Sequence, residues 1–156
     1  MHKGAFTLHF FKKWENDPII QNYFSFKGRI NRKYFFFYSL QWALLLIALY
    51  YVDELLSRSP SPISEILILI PTILICIIIA LSNLSLATRR LHDMGYQAAP
   101  ILCLIYGLSF LSPALDSFFH ANKAIIHAVS LFNTGCSLYL LFGRGDKGPN
   151  KYGEPK

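Results

Sequence analysis

"ILILIPTILICIIIALSNLSLATRRLHDMG" occupies residues 66–95 and decides the fold class. Ile66 to Ala87 is a run of 22 residues without a charge, and Arg89, Arg90, His92 and Asp93 then follow within five positions. A helix needs about 20 apolar residues to cross the hydrocarbon core of a bilayer. The stretch therefore predicts a membrane-spanning helix that ends in a cluster of charged side chains.

Three further uncharged runs have a similar length, and they cover residues 34–52, 94–115 and 124–143. The chain has 156 residues, of which 53% are hydrophobic and 15% charged. Four such runs leave too little polar surface for a soluble fold, since soluble domains carry roughly 25% charged residues. We predict an all-α polytopic membrane protein, a four-helix transmembrane bundle with spans near 34–52, 64–88, 97–115 and 123–142.

Residues 1–23 form a separate polar and aromatic head, followed by a single membrane domain over 24–156 whose tail is 143–156. Phe6, Phe10 and Trp14 recur every four positions in the head. That spacing favours a short amphipathic helix in the membrane interface, and a partly disordered segment is the alternative. The head lacks the apolar core and cleavage site of a signal peptide, so we expect the first span to stay in the mature protein.

The distribution of basic residues predicts the orientation. Of the 15 Lys and Arg residues, 13 lie before the first span, between spans two and three, or after span four, and only Arg58 and Lys123 lie elsewhere. The positive-inside rule places both termini in the cytoplasm. The basic inner face, with a chain net charge of +6, should attract anionic lipids. It lacks a recognition motif or stacking platform, so we expect no nucleic-acid partner.

Several residues carry local structural signals. Asn31 is placed to cap the first span, and Gly95 is placed to end the second in a left-handed conformation. Pro71 should kink the second span. The polar residues of that span should face other helices rather than lipid, and they are Ser82, Asn83 and Ser85.

The simplest interpretation of the charged cluster after the second span is that it marks the C-terminal end of a helix, where the helix dipole favours cations. Asp93 lies four and three positions from Arg89 and Arg90, so either arginine can reach it along the helix. Arg29 and Arg32 lie at a similar depth ahead of span one. We expect Asp93 to pair with at least one arginine, preferably Arg29 or Arg32.

Three other interpretations of the cluster are a phosphate or lipid-headgroup clamp, a catalytic pair and a metal site. Paired arginines suit a phosphate or lipid-headgroup clamp. A catalytic pair of His92 and Asp93 is disfavoured, because neighbouring residues point about 100° apart on a helix and no nucleophile accompanies them. We expect no metal and no cofactor, since the five histidines show no ligand spacing. The three cysteines fall inside spans as apolar packing residues.

The tail "GRGDKGPNKYGEPK" (143–156) contains both a G-x-G-x-x-G pattern and an Arg-Gly-Asp tripeptide. A dinucleotide-binding loop must follow a strand and open a helix, and this pattern does neither. We interpret both patterns as accidents of a Gly-rich turn segment. Residues 150–155 should fold back over the charged cluster.

Three motifs together resemble the bacterial inner-membrane family catalogued as domain of unknown function 805. They are "FKGRINRKYFFF" (26–37), "RRLHDMG" (89–95) and "GDKGPNKYGEP" (145–155), and the resemblance covers roughly residues 24–155. It implies a small multi-span protein without an assigned enzymatic activity or cofactor. Two departures are Tyr34, where the family usually has an acidic residue, and "QAAP" (97–100), where it tends to have Ser-Gly and a tryptophan pair.

The candidate site combines residues from these motifs. We expect its role to be ion pairing or the binding of phosphate, lipid or a partner. Its residues are Gly28, Arg29, Arg32, Arg89, Arg90, His92, Asp93, Asn150, Tyr152 and Gly153.

Our leading hypothesis is a non-enzymatic membrane protein that binds anionic lipids, a membrane-protein partner or a second copy of itself. One alternative is a small transporter or channel subunit, suggested by Pro71, Asn83 and His127 within the spans. The other is an enzyme acting on a lipid phosphate through His92 and Asp93.

Overall fold

The computed structural model describes residues 17–57, 62–119 and 123–155, and within these ranges the chain forms helices and no strands. The helices are α1 (Pro18–Phe24), α2 (Arg32–Ser57), α3 (Pro62–Asp93), α4 (Ala98–Phe119) and α5 (Lys123–Phe142). The predicted all-α class is confirmed. Each of the four predicted spans coincides with one of the four long helices.

Three of these helices are long and apolar enough to cross a membrane, over Arg32–Leu55, Ile68–Asp93 and Lys123–Phe142. In α4 the described apolar stretch is shorter and covers Ala98–Ser109. Large apolar side chains such as Leu44, Leu74 and Leu131 are exposed along the three longer helices. A soluble protein rarely exposes contiguous apolar surface on this scale, whereas lipid favours it. The chain is a membrane protein.

The starts of α1 and α2 are set by side chains that accept hydrogen bonds from otherwise unsatisfied backbone N–H groups. Asp17 accepts from the Ile19 amide at 2.8 Å, and Pro18 occupies the first helical position, where it costs no hydrogen bond. Asn31 accepts from the Tyr34 amide at 3.0 Å, which confirms the predicted cap. Helix α1 was not predicted, and the head helix predicted around Phe6, Phe10 and Trp14 lies outside the described residues.

Helix α3 continues through Pro71 for 32 residues and ends at Asp93. Its last turn closes with two backbone bonds, from Gly95 to the His92 carbonyl at 3.1 Å and from Tyr96 to the Leu91 carbonyl at 2.9 Å. Gly95 has a φ of +76°, a conformation that glycine adopts without a Cβ clash. The predicted glycine cap is confirmed.

Contacts divide the described residues into two compact units, one within residues 17–26 and 37–86 and the other within 27–36 and 87–155. In the first unit, the Tyr23 hydroxyl of α1 donates to Gln41 of α2. The Tyr23 ring also meets the rings of Tyr38 and Trp42 edge-on, with centroids 4.7 and 5.3 Å apart. Trp42 Nε1 donates to the Ser82 hydroxyl at 2.8 Å, so a polar bond joins α2 to α3 within this unit.

The polar residues of α3 in this unit differ in their partners. Ser82 and Ser85 are fully buried, and the Ser85 hydroxyl donates to the Ser25 carbonyl at 2.5 Å, so their predicted inward placement is confirmed. Asn83 is half-buried, and its Nδ2 donates to the Ile79 carbonyl of its own helix at 2.9 Å. This bond satisfies the Asn83 amide within its own helix, because the carbonyl four residues earlier lies within reach of a short polar side chain.

Candidate functional site

The second unit holds all ten residues of the predicted site. They come from the segment that leads into α2, from the C-terminal end of α3 and from the tail after α5. They are Gly28, Arg29, Arg32, Arg89, Arg90, His92, Asp93, Asn150, Tyr152 and Gly153. Three of them form a buried ion-paired group that we call the Asp93 cluster, defined as Arg29, Arg90 and Asp93.

Asp93 lies at the centre of this cluster and is only 5% exposed. Its Oδ1 accepts from Arg29 Nε at 3.1 Å, and its Oδ2 accepts from Arg90 Nη1 at 2.5 Å. Its backbone carbonyl accepts from the Asp146 amide at 2.8 Å. The predicted pairing of Asp93 is thus confirmed, with Arg29 rather than Arg32 as the arginine from the segment before α2.

Arg29 uses its whole guanidinium within the described residues. Besides Asp93 Oδ1, it donates through Nη1 to the Gly148 and Gly153 carbonyls at 2.7 and 3.1 Å. Through Nη2 it donates to the Asp146 carbonyl at 2.6 Å and to the Asp93 carbonyl at 3.4 Å. A guanidinium carries five N–H donors, and these bonds engage each of them. Arg29 therefore fastens the tail to the end of α3.

Arg90 performs the corresponding task at the end of α5. Its Nε donates to the Leu140 carbonyl at 2.8 Å, and its Nη2 donates to the Gly143 carbonyl. The last carbonyls of a helix lack intrahelical partners and carry the negative end of the helix dipole, so a guanidinium is well matched to them. Arg90 Nη1 also donates to the Ile30 carbonyl at 3.4 Å. The side chain consequently joins α5, the segment before α2 and Asp93.

The remaining arginines of the predicted site lie outside the Asp93 cluster. Arg89 is buried, and its backbone carbonyl accepts from the Ile30 amide at 3.3 Å. Arg32 is exposed at the start of α2, and its positive charge acts on Arg90. Gly28 precedes the buried Arg29 with a φ of +83°, a left-handed conformation suited to glycine.

The His92 ring is engaged by the tail rather than by Asp93. It stacks on the Tyr152 ring with centroids 3.7 Å apart and an angle of 10° between the planes. Lys151 Nζ lies 4.9 Å from the centroid of the same tyrosine ring. The Gly28 backbone lies close to the His92 ring. These contacts hold His92 as part of the packing between the tail and α3.

A tight turn over residues 150–153 gives the tail its shape. The amide and carbonyl of Asn150 pair with the carbonyl and amide of Gly153 at 3.2 and 2.9 Å, and Asn150 Oδ1 accepts from the Tyr152 amide at 2.9 Å. Asn150 Nδ2 donates to the His92 carbonyl at 3.0 Å and to Asp146 Oδ2 at 2.9 Å. The prediction that the tail folds back onto the end of α3 is confirmed.

Two tail residues that the sequence analysis passed over prove central to the site. A Cβ at Gly145 would overlap the carboxylate of Asp93, so only glycine lets the tail backbone approach this closely. Asp146 receives bonds on its carbonyl and its carboxylate and donates its amide to Asp93. Both belong to the Arg-Gly-Asp tripeptide that was set aside as accidental. The only available signal was the density of glycines at this point of the tail.

Chemically, the Asp93 cluster is a buried ion-paired network in which two guanidinium groups donate hydrogen bonds to one carboxylate and to several backbone carbonyls. A buried charge is tolerated when it is paired and its other polar atoms are satisfied, and the cluster meets that condition. Among the described residues, no group of three or more His, Cys, Asp or Glu is placed to hold a metal ion. His127, the histidine of α5, is exposed and lies apart from the predicted site residues.

The fold and the site together define an all-helical membrane protein whose polar segments are fastened by a buried Arg–Asp–Arg group. The chain belongs to the family described as "Protein of unknown function (DUF805)", which it matches over residues 23–154. The resemblance drawn from the three motifs is confirmed, and in this chain the Asp93 cluster and the Tyr152 stack connect all three. No curated protein and no solved structure matches the chain.

Proposed function

We propose that this chain is a non-enzymatic, multi-pass protein of the bacterial inner membrane, with both termini in the cytoplasm. Its role in this proposal is to bind the anionic headgroups of lipids at a basic surface that the Asp93 cluster holds in shape. A membrane-protein partner, including a second copy of the chain, is the alternative occupant of the same surface.

The observation that carries the proposal is that the basic residues fall into two sets, one buried and one exposed. Arg29 and Arg90 are buried, and their guanidinium groups bond to acceptors inside the protein. Six exposed cations of the same unit lie in residues 27–36 and 143–155 and form what we call the basic surface: Lys27, Arg32, Lys33, Arg144, Lys147 and Lys151. The buried pair therefore supports the fold, whereas the exposed set supports contact with an anionic partner.

The charge balance favours lipid headgroups as that partner. Within residues 27–36 and 143–155, the exposed carboxylates are Asp146 and Glu154, against six exposed cations. A Lys or Arg near an anionic membrane surface contributes about 1 kcal/mol to attraction. Because the basic surface flanks the ends of helices that are long enough to span a bilayer, it would lie at headgroup depth.

The non-enzymatic part of the proposal is supported by the state of the charged side chains. Both carboxylate oxygens of Asp93 accept from arginines, and the His92 ring is stacked on Tyr152. A general base must reach the proton that it abstracts, and these two groups are committed to other contacts.

The headgroup proposal is tested by purifying the full-length chain in a mild detergent and measuring its bound lipids and proteins by mass spectrometry. We expect anionic phospholipids to be enriched over the bulk membrane. The triple variant Lys33→Gln, Lys147→Gln, Lys151→Gln should lower that enrichment by at least about tenfold, since each cation contributes about 1 kcal/mol.

The matched control replaces the two cations predicted on the other side, as Arg58→Gln and Lys123→Gln, and it should leave the enrichment unchanged. Recovery of the wild-type chain without any enriched lipid would overturn the headgroup proposal. Recovery of a stoichiometric protein instead of lipid would replace lipid by the alternative occupant.

The proposed orientation is tested by cysteine labelling in a background that lacks the three native cysteines. A cysteine at position 147 should react with an impermeant maleimide from the cytoplasm, and cysteines at positions 58 and 120 should react from the opposite side. Cytoplasmic labelling of position 58 or 120 would contradict the orientation.

A further inference from the structure

Residues 18–26, "PIIQNYFSF", carry no charge and lie between Asp17 and Lys27. They comprise α1 and the two residues after it, and they belong to the first unit. Nine residues are too few to cross a bilayer, since a spanning helix needs about 20. Short uncharged stretches of membrane proteins include interfacial and re-entrant segments, and the contacts with the spans decide how deep this one lies.

The contacts of Tyr23 fix the depth along α2. Its ring meets the rings of Tyr38 and Trp42, and its hydroxyl donates to Gln41. Gln41 follows the last charged residue, Lys33, by eight positions, so it lies about 12 Å farther along the helix. The headgroup layer is about 5–8 Å thick on each side of a bilayer. Gln41, in a helix long and apolar enough to span the membrane, therefore lies within the hydrocarbon.

Helix α3 gives a similar depth independently. The Ser85 hydroxyl donates to the Ser25 carbonyl at 2.5 Å, and the Ser82 hydroxyl accepts from Trp42 Nε1 at 2.8 Å. Both α3 serines are fully buried. They precede Arg89, the first charge after the uncharged run, by four and seven residues, which is about 6 and 10 Å along the helix. The chain just after α1 is thus held at the hydrocarbon edge by α3 as well.

Two polar groups at this depth have the partners that hydrocarbon requires. Ser25 ends α1 in an extended conformation, and the Ser85 hydroxyl donates to its carbonyl. The side chain of Gln41 is exposed on α2, and the Tyr23 hydroxyl donates to it. In water, solvent would satisfy both groups, whereas in hydrocarbon a carbonyl or an amide needs a partner within the protein.

Two large apolar side chains of the segment are exposed. Ile19 of α1 is 64% exposed, and Phe26 is 46% exposed. Because α1 contacts α2 directly through Tyr23, this surface adjoins the apolar surface that α2 exposes through side chains such as Leu44. Continuity with the lipid-facing side of a span, at the same depth, favours acyl chains as the contact of both residues.

We infer that residues 18–26 form a re-entrant segment, which dips into the leaflet at the N-terminal end of α2 and presents Ile19 and Phe26 to acyl chains. Helix α1 has seven residues and is about 10 Å long, enough to lead from the headgroups at Asp17 to the hydrocarbon edge. Lys27 then returns the chain to the headgroups before α2 begins. The inference goes beyond the proposed function, because it assigns a hydrocarbon contact that does not involve the basic surface.

Spin labels test the position of the segment in the full-length chain, reconstituted without its three native cysteines in vesicles of phosphatidylcholine and phosphatidylglycerol. Labels at positions 19 and 26 should collide more with oxygen, which concentrates in hydrocarbon, than with a water-soluble nickel complex. Position 47, in the exposed middle of α2, is the hydrocarbon reference, and position 147 is the aqueous reference.

A collision ratio at positions 19 and 26 equal to that at position 147 would overturn the inference. Low collision rates with both reagents would overturn it as well, since they would show that a protein surface covers the segment.

A substitution tests the depth without a label. Tyr23→Phe keeps the ring and removes the hydroxyl, so in hydrocarbon the Gln41 amide loses a partner that no water replaces. The midpoint of thermal unfolding in lipid nanodiscs should fall by about 3–6 °C, and adding Gln41→Leu should restore it. Tyr51→Phe, the same change at an exposed tyrosine of α2, is the matched control and should leave the midpoint unchanged. An unchanged midpoint in Tyr23→Phe would show that Gln41 is hydrated and would contradict the depth assigned to the segment.

Discussion

Helix α3 exposes apolar side chains in its middle and buries charged side chains at its C-terminal end, which is the opposite of the pattern in a soluble protein. In the middle of the helix, apolar side chains such as Ile70 and Leu74 are 55% and 56% exposed. At its C-terminal end, Arg90 is fully buried and Asp93 nearly so. Lipid explains the first part, since an apolar side chain has little to gain from leaving hydrocarbon. Complete pairing explains the second, since a buried charge is stable only when its partners are all present.

Removing Asp93 should give the largest effect, because it leaves two buried guanidinium groups without their carboxylate. We expect Asp93→Ala to lower the free energy of unfolding in detergent by about 3–5 kcal/mol. A double-mutant cycle with Arg29→Ala should give a coupling energy of about 0.5–3 kcal/mol, as for residues in one bonded network. A coupling energy near zero would show that burial at this end of α3 does not depend on the pair.

Truncating one leucine in each part of α3 tests this difference in burial. Leu86 is fully buried near the C-terminal end of α3, so Leu86→Ala should cost about 2–5 kcal/mol of unfolding free energy. Leu74→Ala, in the exposed middle of the same helix, should change it by no more than about 0.5 kcal/mol. Thermal unfolding of both variants in detergent compares them directly. Similar losses for the two variants would mean that the middle of the helix is packed against something in the native protein.

A pair of glycine variants tests how closely the tail backbone packs against Asp93. A methyl group at Gly145 would overlap the Asp93 carboxylate, and we expect Gly145→Ala to cost about 1–3 kcal/mol. Gly148→Ala serves as the control, because a Cβ there meets no atom within 4 Å. Unfolding of the two variants in urea would give their difference in stability. Equal stability would contradict the close packing of the tail.

The stack of His92 on Tyr152 should give the smallest effect. Tyr152→Leu keeps an apolar side chain but removes the ring, and we expect a loss of about 0.5–1.5 kcal/mol. Tyr152→Phe keeps the ring and should resemble the wild type. Amide hydrogen exchange over residues 143–155 reports the effect, as faster exchange in the leucine variant alone. Faster exchange in both variants would assign the role to the hydroxyl instead.

Sequence reasoning reached part of the site because some of its bonds are typical of residue type. A lone carboxylate among four arginines must find a cation, and Asp93 does bond to Arg29. Helical spacing allowed Arg89 and Arg90 equally, and the structure selects Arg90. Both positions flank Asp93 on one face of the helix, so the packing of the surrounding segments, rather than helical spacing, decides which arginine bonds to it.

The bonds that the sequence did not reveal are mostly bonds to backbone carbonyls. Arg90 donates to Leu140, and Arg29 donates to Asp146 and Gly148. Every residue has a backbone carbonyl, so an acceptor of this kind leaves no mark in the amino-acid sequence. Gly145 gave only a weak signal in the sequence, since glycine is common in turns. The close approach of Asp93 that requires glycine at this position is a property of the packed structure.

Helix length, apolar composition and capping depend on neighbouring residues, so the sequence alone determined the long helices, the Asn31 cap and the Gly95 cap. The Asp93 cluster depends on residues that are 64 positions apart for Arg29 and Asp93 and 119 apart for Arg29 and Gly148. Only the tertiary structure decided which arginines are buried and which stay exposed. The physical reason is that a guanidinium can leave solvent only where the fold has already brought enough acceptors together to satisfy it.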